Sequence, residues 1–140
     1  MKKTISLVAV LMMVSGGVAA QSFNDAFNSQ RAMYGNGHSF TFEGQTYITD
    51  HPEEVAAAVE ANADNATKLL AAAKEQQAQV VALDFAWTLT KGLLKASAKS
   101  LADGDFRKSM DTSAQAQYHA RMGIAQYHQS QAEWIMAVPQ

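Results

Sequence analysis

Four histidines carry most of the chemical reach of this chain, and their spacing decides what they can do together. Ala116-Gln117-Tyr118-His119 and Ala125-Gln126-Tyr127-His128 repeat one tetrapeptide after nine residues. Nine helical residues turn through ~900°, so His119 and His128 point in opposite directions and cannot chelate one ion. A chelating helical pair needs a spacing of three or four, and neither Glu-x-x-His nor His-x-x-x-His occurs, which removes the usual di-iron and zincin signatures. His38 and His51 flank a β-prone stretch and could meet across it, as two ligands without a carboxylate partner. No metal site is expected.

Other chemistries fare similarly. Met110, Met122 and Met136 with His119 and His128 are the residue types that hold noncovalent haem in helical bundles, but methionine at helical spacing also serves as core filler. Asp84, beside Trp87 and Thr88, could be a partly buried acid, while Lys91 on the same edge reads as an ordinary polar strip. Ser97, Ser100 and Ser109 have no local base, and no Gly-x-Ser-x-Gly elbow exists. Gly35-Asn36-Gly37 precedes a β-prone run rather than a helix and is too short to cradle phosphates. The sequence contains no cysteine, which excludes thiol catalysis, zinc–thiolate sites, iron–sulfur clusters and covalently attached haem. The expectation is a chain with no catalytic residues and no cofactor.

The elements that would position these residues are helical. Val80, Leu83, Trp87, Thr90, Leu94, Ser97 and Leu101 recur at alternating spacings of three and four and fall on one helix face. Val81, Phe85, Leu89, Gly92 and Ala96 form a second apolar stripe, so this helix needs cover on two sides. The same register runs backward through Gln76, Ala73, Leu69, Ala66, Asn62 and Val59 to Val55, a coiled-coil-like seam rich in small residues. Residues 50–102 therefore read as one long helix or two in line, with Asn62-Ala63-Asp64-Asn65 as the expected break. Asp50 with Glu53 resembles a capping box, with Pro52 in the first turn and Glu53 and Glu54 at the positive end of the helix dipole.

Asp103-Gly104-Asp105 reads as a tight reversal, Gly104 ending one helix and Asp105 capping the next, over residues 105–138. That helix also carries two stripes. Phe106, Met110, Ala120, Ile124, Tyr127, Trp134 or Ile135, and Val138 make one; Ala114, Tyr118, Met122, Ala125, Ala132 and Met136 make the other. So short a loop implies an antiparallel helical hairpin.

Residues 21–49 differ in character. Ser22 and Asp25 suggest the N-cap of a short helix bearing Phe23, Ala26, Phe27 and Tyr34, ended by Gly35-Asn36-Gly37. Phe40-Thr41-Phe42 and Thr46-Tyr47-Ile48-Thr49 alternate about Glu43-Gly44-Gln45, which predicts a small hairpin packing an aromatic face on the helices. The spacing of Ala26-Phe27, Arg31, Gly35, Phe40, Phe42, Gly44, Tyr47 and Thr49 resembles a short segment of small bacterial and phage proteins of unassigned function, with the pattern AF…R…G…F-x-W-x-G-x-x-Y-x-T. The resemblance spans residues 26–49, with Phe42 where the pattern has Trp, and implies no catalytic or binding residue.

Location comes from the first twenty residues. Lys2 and Lys3, an apolar run from Ile5 to Val14 interrupted by Ser6, the break at Ser15-Gly16-Gly17, and small residues Val18 and Ala20 have the form of a cleaved signal peptide. Cleavage after Ala20 leaves residues 21–140 as a single helical domain. It also leaves 9 Lys and Arg against 13 Asp and Glu, a net charge of −4 that argues against nucleic-acid binding. No later run is long enough to span a bilayer.

The fold expected is mainly α, a long antiparallel helical hairpin or small helical bundle, with a short N-terminal helix and a small β-hairpin. The function expected is that of a periplasmic or secreted, non-enzymatic interaction or structural protein of the cell envelope. It would self-associate or receive another envelope or secreted protein along an apolar face bearing Phe85, Leu89, Tyr118 and Met122. The alternative is a periplasmic bundle binding a small ligand such as noncovalent haem.

Overall fold

The computed structural model describes residues 22–137. The leader reading for residues 1–20 and the stripe position Val138 lie outside the described residues, as do the side chains of Ile135 and Met136.

The chain opens with α1 (Phe23–Tyr34), capped at Ser22, whose side chain accepts from the Asp25 N–H at 3.2 Å. Gly35 ends it at φ +76°, a conformation that glycine reaches without penalty. Strands β1 (Ser39–Phe42) and β2 (Gln45–Ile48) pair antiparallel, with Phe40 opposite Tyr47 and Phe42 opposite Gln45. Their two-residue turn, Glu43-Gly44, has positive φ at both positions, which matches the right-handed twist of the strands. The hairpin lays its aromatic face on α1. Phe23 meets Tyr47 at 4.7 Å and Phe42 at 5.6 Å between ring centroids, and Phe40 is buried.

Four helices follow: α2 (Pro52–Ala57), α3 (Ala63–Ala82), α4 (Thr88–Ala102) and α5 (Phe106–Ala137). Residues 50–102 are therefore neither one helix nor two in line. Asn62 caps α3 by accepting from the Asn65 N–H at 2.9 Å, at the break that the sequence suggests. The second break, Leu83–Trp87, interrupts the Val80–Leu101 seam. Asp84 there adopts φ +58°, and the N–H groups of Leu83 and Phe85 both return to the Val80 carbonyl. Aspartate is among the few side chains that tolerate this left-handed conformation. Folding back at this point lays α4 against α5 and buries the first stripe at Val80, Thr90 and Ser97, while the expected cover for the second stripe is not found: Val81, Leu89, Gly92 and Ala96 stay exposed.

Residue pairings give the directions. Leu69 lies by Gln117 and Val80 by Gly123, so α3 runs parallel to α5. Trp87 bonds Gln126 and Ser97 bonds Ser109, so α4 runs antiparallel to both. The α4–α5 reversal is the expected one, with Gly104 at φ +79° and the Asp105 carboxylate accepting from the Lys108 N–H.

The bundle core is built from small side chains. Ala66, Leu70, Ala73, Gln77 and Val80 of α3 alternate four and three apart and are all buried. Met110, Ala116 and Ala120 of α5 and Thr90, Ser97 and Ser100 of α4 are buried with them, while Ala114 is buried on the side of α5 that lines the groove with α2. The expected seam holds at Ala66, Ala73, Val80, Thr90 and Ser97. It fails at Val55, about half exposed because α2 buries Glu53 and Ala57 instead, and at Val59, about half exposed in the connection beyond α2. Small residues let the backbones approach closely: a Cβ built at Gly123 would stand 2.6 Å from Val80 Cγ2 and 2.7 Å from the Phe85 carbonyl oxygen.

Candidate functional site

The short helix α2 joins the N-terminal α1–hairpin unit to the bundle, and it does so with two consecutive glutamates. Glu54 accepts both guanidinium prongs of Arg31 from α1, at 2.6 Å each, and the His51 backbone N–H at 2.7 Å. Glu53 turns the other way and accepts Nε and Nη2 of Arg121 from α5 at 2.5 and 3.1 Å. Adjacent helical residues diverge by about 100°, so one short helix can hold two different elements. The cap differs from the expected one: His51 rather than Asp50 precedes the helix, and Glu54 rather than Glu53 closes the turn. Asp50 instead accepts the Gly37 N–H.

The residues carrying the AF…R…G…T spacing bind one another. Arg31 also donates to the Thr49 carbonyl at 2.6 Å, and the buried Thr49 hydroxyl donates to the Gly35 carbonyl while accepting the His38 N–H. Their work is to tie the end of α1 to the end of the hairpin.

Between α1, α2 and α5 runs a groove of about 930 Å³. One wall is Asn28, Arg31, Asn36 and Asp50; the floor is His51, Glu54, Ala57 and Ala58. The other wall is α5, from Arg107 through Asp111, Thr112, Gln115 and Tyr118 to His119. Arg107 caps α2, donating to the carbonyls of Ala57 and Val59 at 2.6 Å each, and pairs with Asp111. The His51 ring sits between Phe27 of α1, 5.4 Å away, and Tyr118 of α5, 4.6 Å away; Arg121 lies over the other part of the Tyr118 ring at 5.4 Å. Burial, followed by the charge of Arg31, holds the His51 imidazole below its ordinary pKa, against the pull of Glu54. The Arg31 hydrogen bond keeps the Glu54 carboxyl below the usual range and raises the Arg31 guanidinium.

The sequence-predicted residues scatter. His51 and His119 line the groove, whereas His38 stacks on Tyr34 at 4.1 Å and His128 is exposed, so His38 and His51 are engaged by different rings. Met110 is wholly buried, Met122 half-buried, and neither lines the groove. Asp84 is exposed, not partly buried, and lines a shallow depression of about 230 Å³ with Trp87, Thr88 and Lys91. Ser97, Ser109 and Ser113 form a closed hydroxyl cluster where α4 crosses α5.

Of the four apolar-face residues, Leu89 is 57% exposed, while Phe85, Tyr118 and Met122 are half-buried. Phe85 packs edge-on against Tyr127 at 5.5 Å. Tyr127 is nine residues from Tyr118, hence on the opposite side of α5, so Phe85 and Tyr118 do not share a surface. Among the described residues no group of three or more His, Asp or Glu is placed to hold a metal, and no helix is long and apolar enough to cross a membrane. Arg107, Arg121, Asp111 and Gln115 were not legible as site residues.

The chain matches no protein-family model, no curated protein and no solved structure.

Proposed function

We propose that this chain is an exported, non-enzymatic helical binding protein that holds a small, hydrogen-bond-donating polar ligand in the groove between α1, α2 and α5. The observation that carries the reading is an imbalance of free donors and acceptors. Both prongs of Arg31 are spent on Glu54 and Thr49, and both prongs of Arg107 on the carbonyls of Ala57 and Val59. Asp50 and Asp111 each keep an oxygen without a partner among the described residues, and since the Asn28, Asn36 and Gln115 amides offer N–H donors as well as acceptors, the surplus rests on those two carboxylates. A groove with committed cations and free acceptors favours amines or hydroxyls. Its volume is that of a small-molecule site, though its lining is more polar than most. A Met–His haem site is not favoured, since no methionine lines the groove.

Titrating isotope-labelled protein with spermidine, and separately with a neutral disaccharide, tests this. Amide shifts at Asn36, Asp111 and Gln115, lost in Asp111→Asn, are expected with one of the two. No shift with either sinks the reading. Recovery of the chain from an envelope extract with Gln21 as its first residue is the corresponding test of export.

A second reading keeps the protein–protein contact on the outer side of α3 and α4, where Val81 and Leu89 are about half exposed. Concentration-dependent sedimentation that Leu89→Glu abolishes would support it over the groove.

A further inference from the structure

We infer that His51 is an acid-sensitive latch: its neutral ring clamps the α1–hairpin unit onto α5 and keeps the groove's α1 wall in place, and its protonation releases that wall. The inference supplies the regulation of the groove and rests, for its biological use, on the binding role given to it above.

The geometry has three parts. First, the imidazole is the one ring among the described residues that touches aromatics on both sides of the junction, Phe27 on α1 and Tyr118 on α5. Second, it lies between two arginines, Arg31 from α1 and Arg121 from α5, whose charges both act on it. Third, the two carboxylates that could neutralise an imidazolium are already engaged two-pronged, Glu54 with Arg31 and Glu53 with Arg121. Asp50, next in the chain, accepts the Gly37 N–H with one oxygen and acts on Arg31 rather than on the imidazole, and Tyr118 is the further titratable group in contact with the ring from α5.

A proton on His51 therefore adds a third cation beside Arg31 and Arg121, whose glutamate partners are already engaged, in a half-buried junction. Moving the ring into water relieves this at the expense of both ring contacts, which are tilted rather than stacked. Burial and Arg31 already disfavour the charged ring, more than Glu54 favours it. The Arg31–Glu54 pair then still holds α1 to α2, and α2 stays tied to α5 through Glu53–Arg121, so what the proton removes is the direct ring bridge between α1 and α5. The α3–α4–α5 core has its own packing and no part in the latch.

Hydrogen exchange read by mass spectrometry, on the chain beginning at Gln21, tests the latch at pH 7.5, 6.5, 5.5 and 5.0, with rates corrected for intrinsic pH dependence. Peptides covering α1 and the hairpin are expected to lose protection relative to α3, by up to about tenfold per pH unit between the unfolded and folded pKa values. His51→Phe keeps a ring in the stack and the backbone N–H that Glu54 accepts, but cannot titrate; its protection should stay level across the range. The wild-type His51 ring signal, followed by NMR, should share its midpoint with the loss of protection. Level protection in the wild type overturns the latch, as does opening that persists in His51→Phe or that tracks His38 instead. Should His51→Phe fail to fold, the shared NMR midpoint decides alone. The spermidine and disaccharide titrations at pH 7.5 are separate: failure there with pH-dependent exchange intact removes the groove reading and leaves the latch, and the converse removes the latch alone.

Discussion

Arg31 and Glu54, 23 positions apart, meet in a two-pronged ion pair while Glu54 also accepts the His51 backbone N–H. One carboxylate thus caps α2 and anchors α1. Removing the guanidinium strands that carboxylate and the Thr49 carbonyl together. Since the side chains are 25% and 33% exposed, solvent screens part of the loss, and Arg31→Ala should cost about 1–2 kcal/mol. Arg31→Lys should recover roughly half of it, because an ammonium cannot fork. Urea unfolding measures both; an Arg31→Lys variant as stable as the wild type would show that the fork geometry contributes nothing.

Acid should weaken the fold in two steps. The unfolded chain returns His51 to about 6.5, above its lowered folded value, so it binds more protons there and stability falls as pH drops below about 6.5 toward the folded value. Glu54 is held below 4.5 when folded, so its contribution is complete above about 4.5 and is lost as pH falls through the lowered value. Urea midpoints at pH 7.5, 5.5 and 3.5 should decline successively, and His51→Gln should lose the first decline only. A midpoint unchanged from 7.5 to 5.5 contradicts the first step.

Gly123 and Gly92 both lie inside helices and should respond oppositely to alanine. At Gly123 the new methyl overlaps Val80 Cγ2 and the Phe85 carbonyl oxygen, and the latter is backbone that cannot swing aside. Gly123→Ala should destabilise by about 1–3 kcal/mol despite better helix propensity. At Gly92 nothing lies within 4 Å of the added Cβ, and Gly92→Ala should stabilise by about 0.5–1 kcal/mol. Thermal melts of the two variants side by side are sufficient, and a stabilised Gly123→Ala would mean that α5 does not approach the α3–α4 turn so closely.

Two buried polar side chains in the bundle should also differ in sign. Ser97 donates to the Ser109 carbonyl at 3.0 Å and lies 2.7 Å from the Ser113 hydroxyl, so Ser97→Ala strands partners and should cost about 1–2 kcal/mol. Gln77 is buried with neither amide atom hydrogen-bonded within the protein. Gln77→Met keeps the length, removes the desolvation cost and should stabilise by about 1 kcal/mol. Calorimetry on each variant reads the sign, and a destabilised Gln77→Met would reveal a partner for that amide.

The elements governed by local geometry were readable in residue order alone. Ser22 at an N-cap, Gly35 and Gly104 in left-handed conformation, the hairpin, though its turn is Glu43-Gly44 with Gln45 in the strand rather than the three-residue Glu43-Gly44-Gln45, and the helical periods of α3, α4 and α5 all follow from rules that act within a few residues. Helix class and the small-residue seam were legible for the same reason. Tertiary packing decided the rest. The break at Leu83–Trp87 is invisible to periodicity, because the three-four pattern continues across it; folding back is favoured by burying Val80, Thr90 and Ser97 against α5, and it leaves Val81 and Leu89 exposed. The divergence of Glu53 and Glu54 to Arg121 and Arg31 joins residues 68 and 23 positions apart, and no local rule chooses an ion-pair partner at that distance. The placing of Tyr118 in a polar groove rather than on an apolar face came from α2, whose position depends on those two ion pairs.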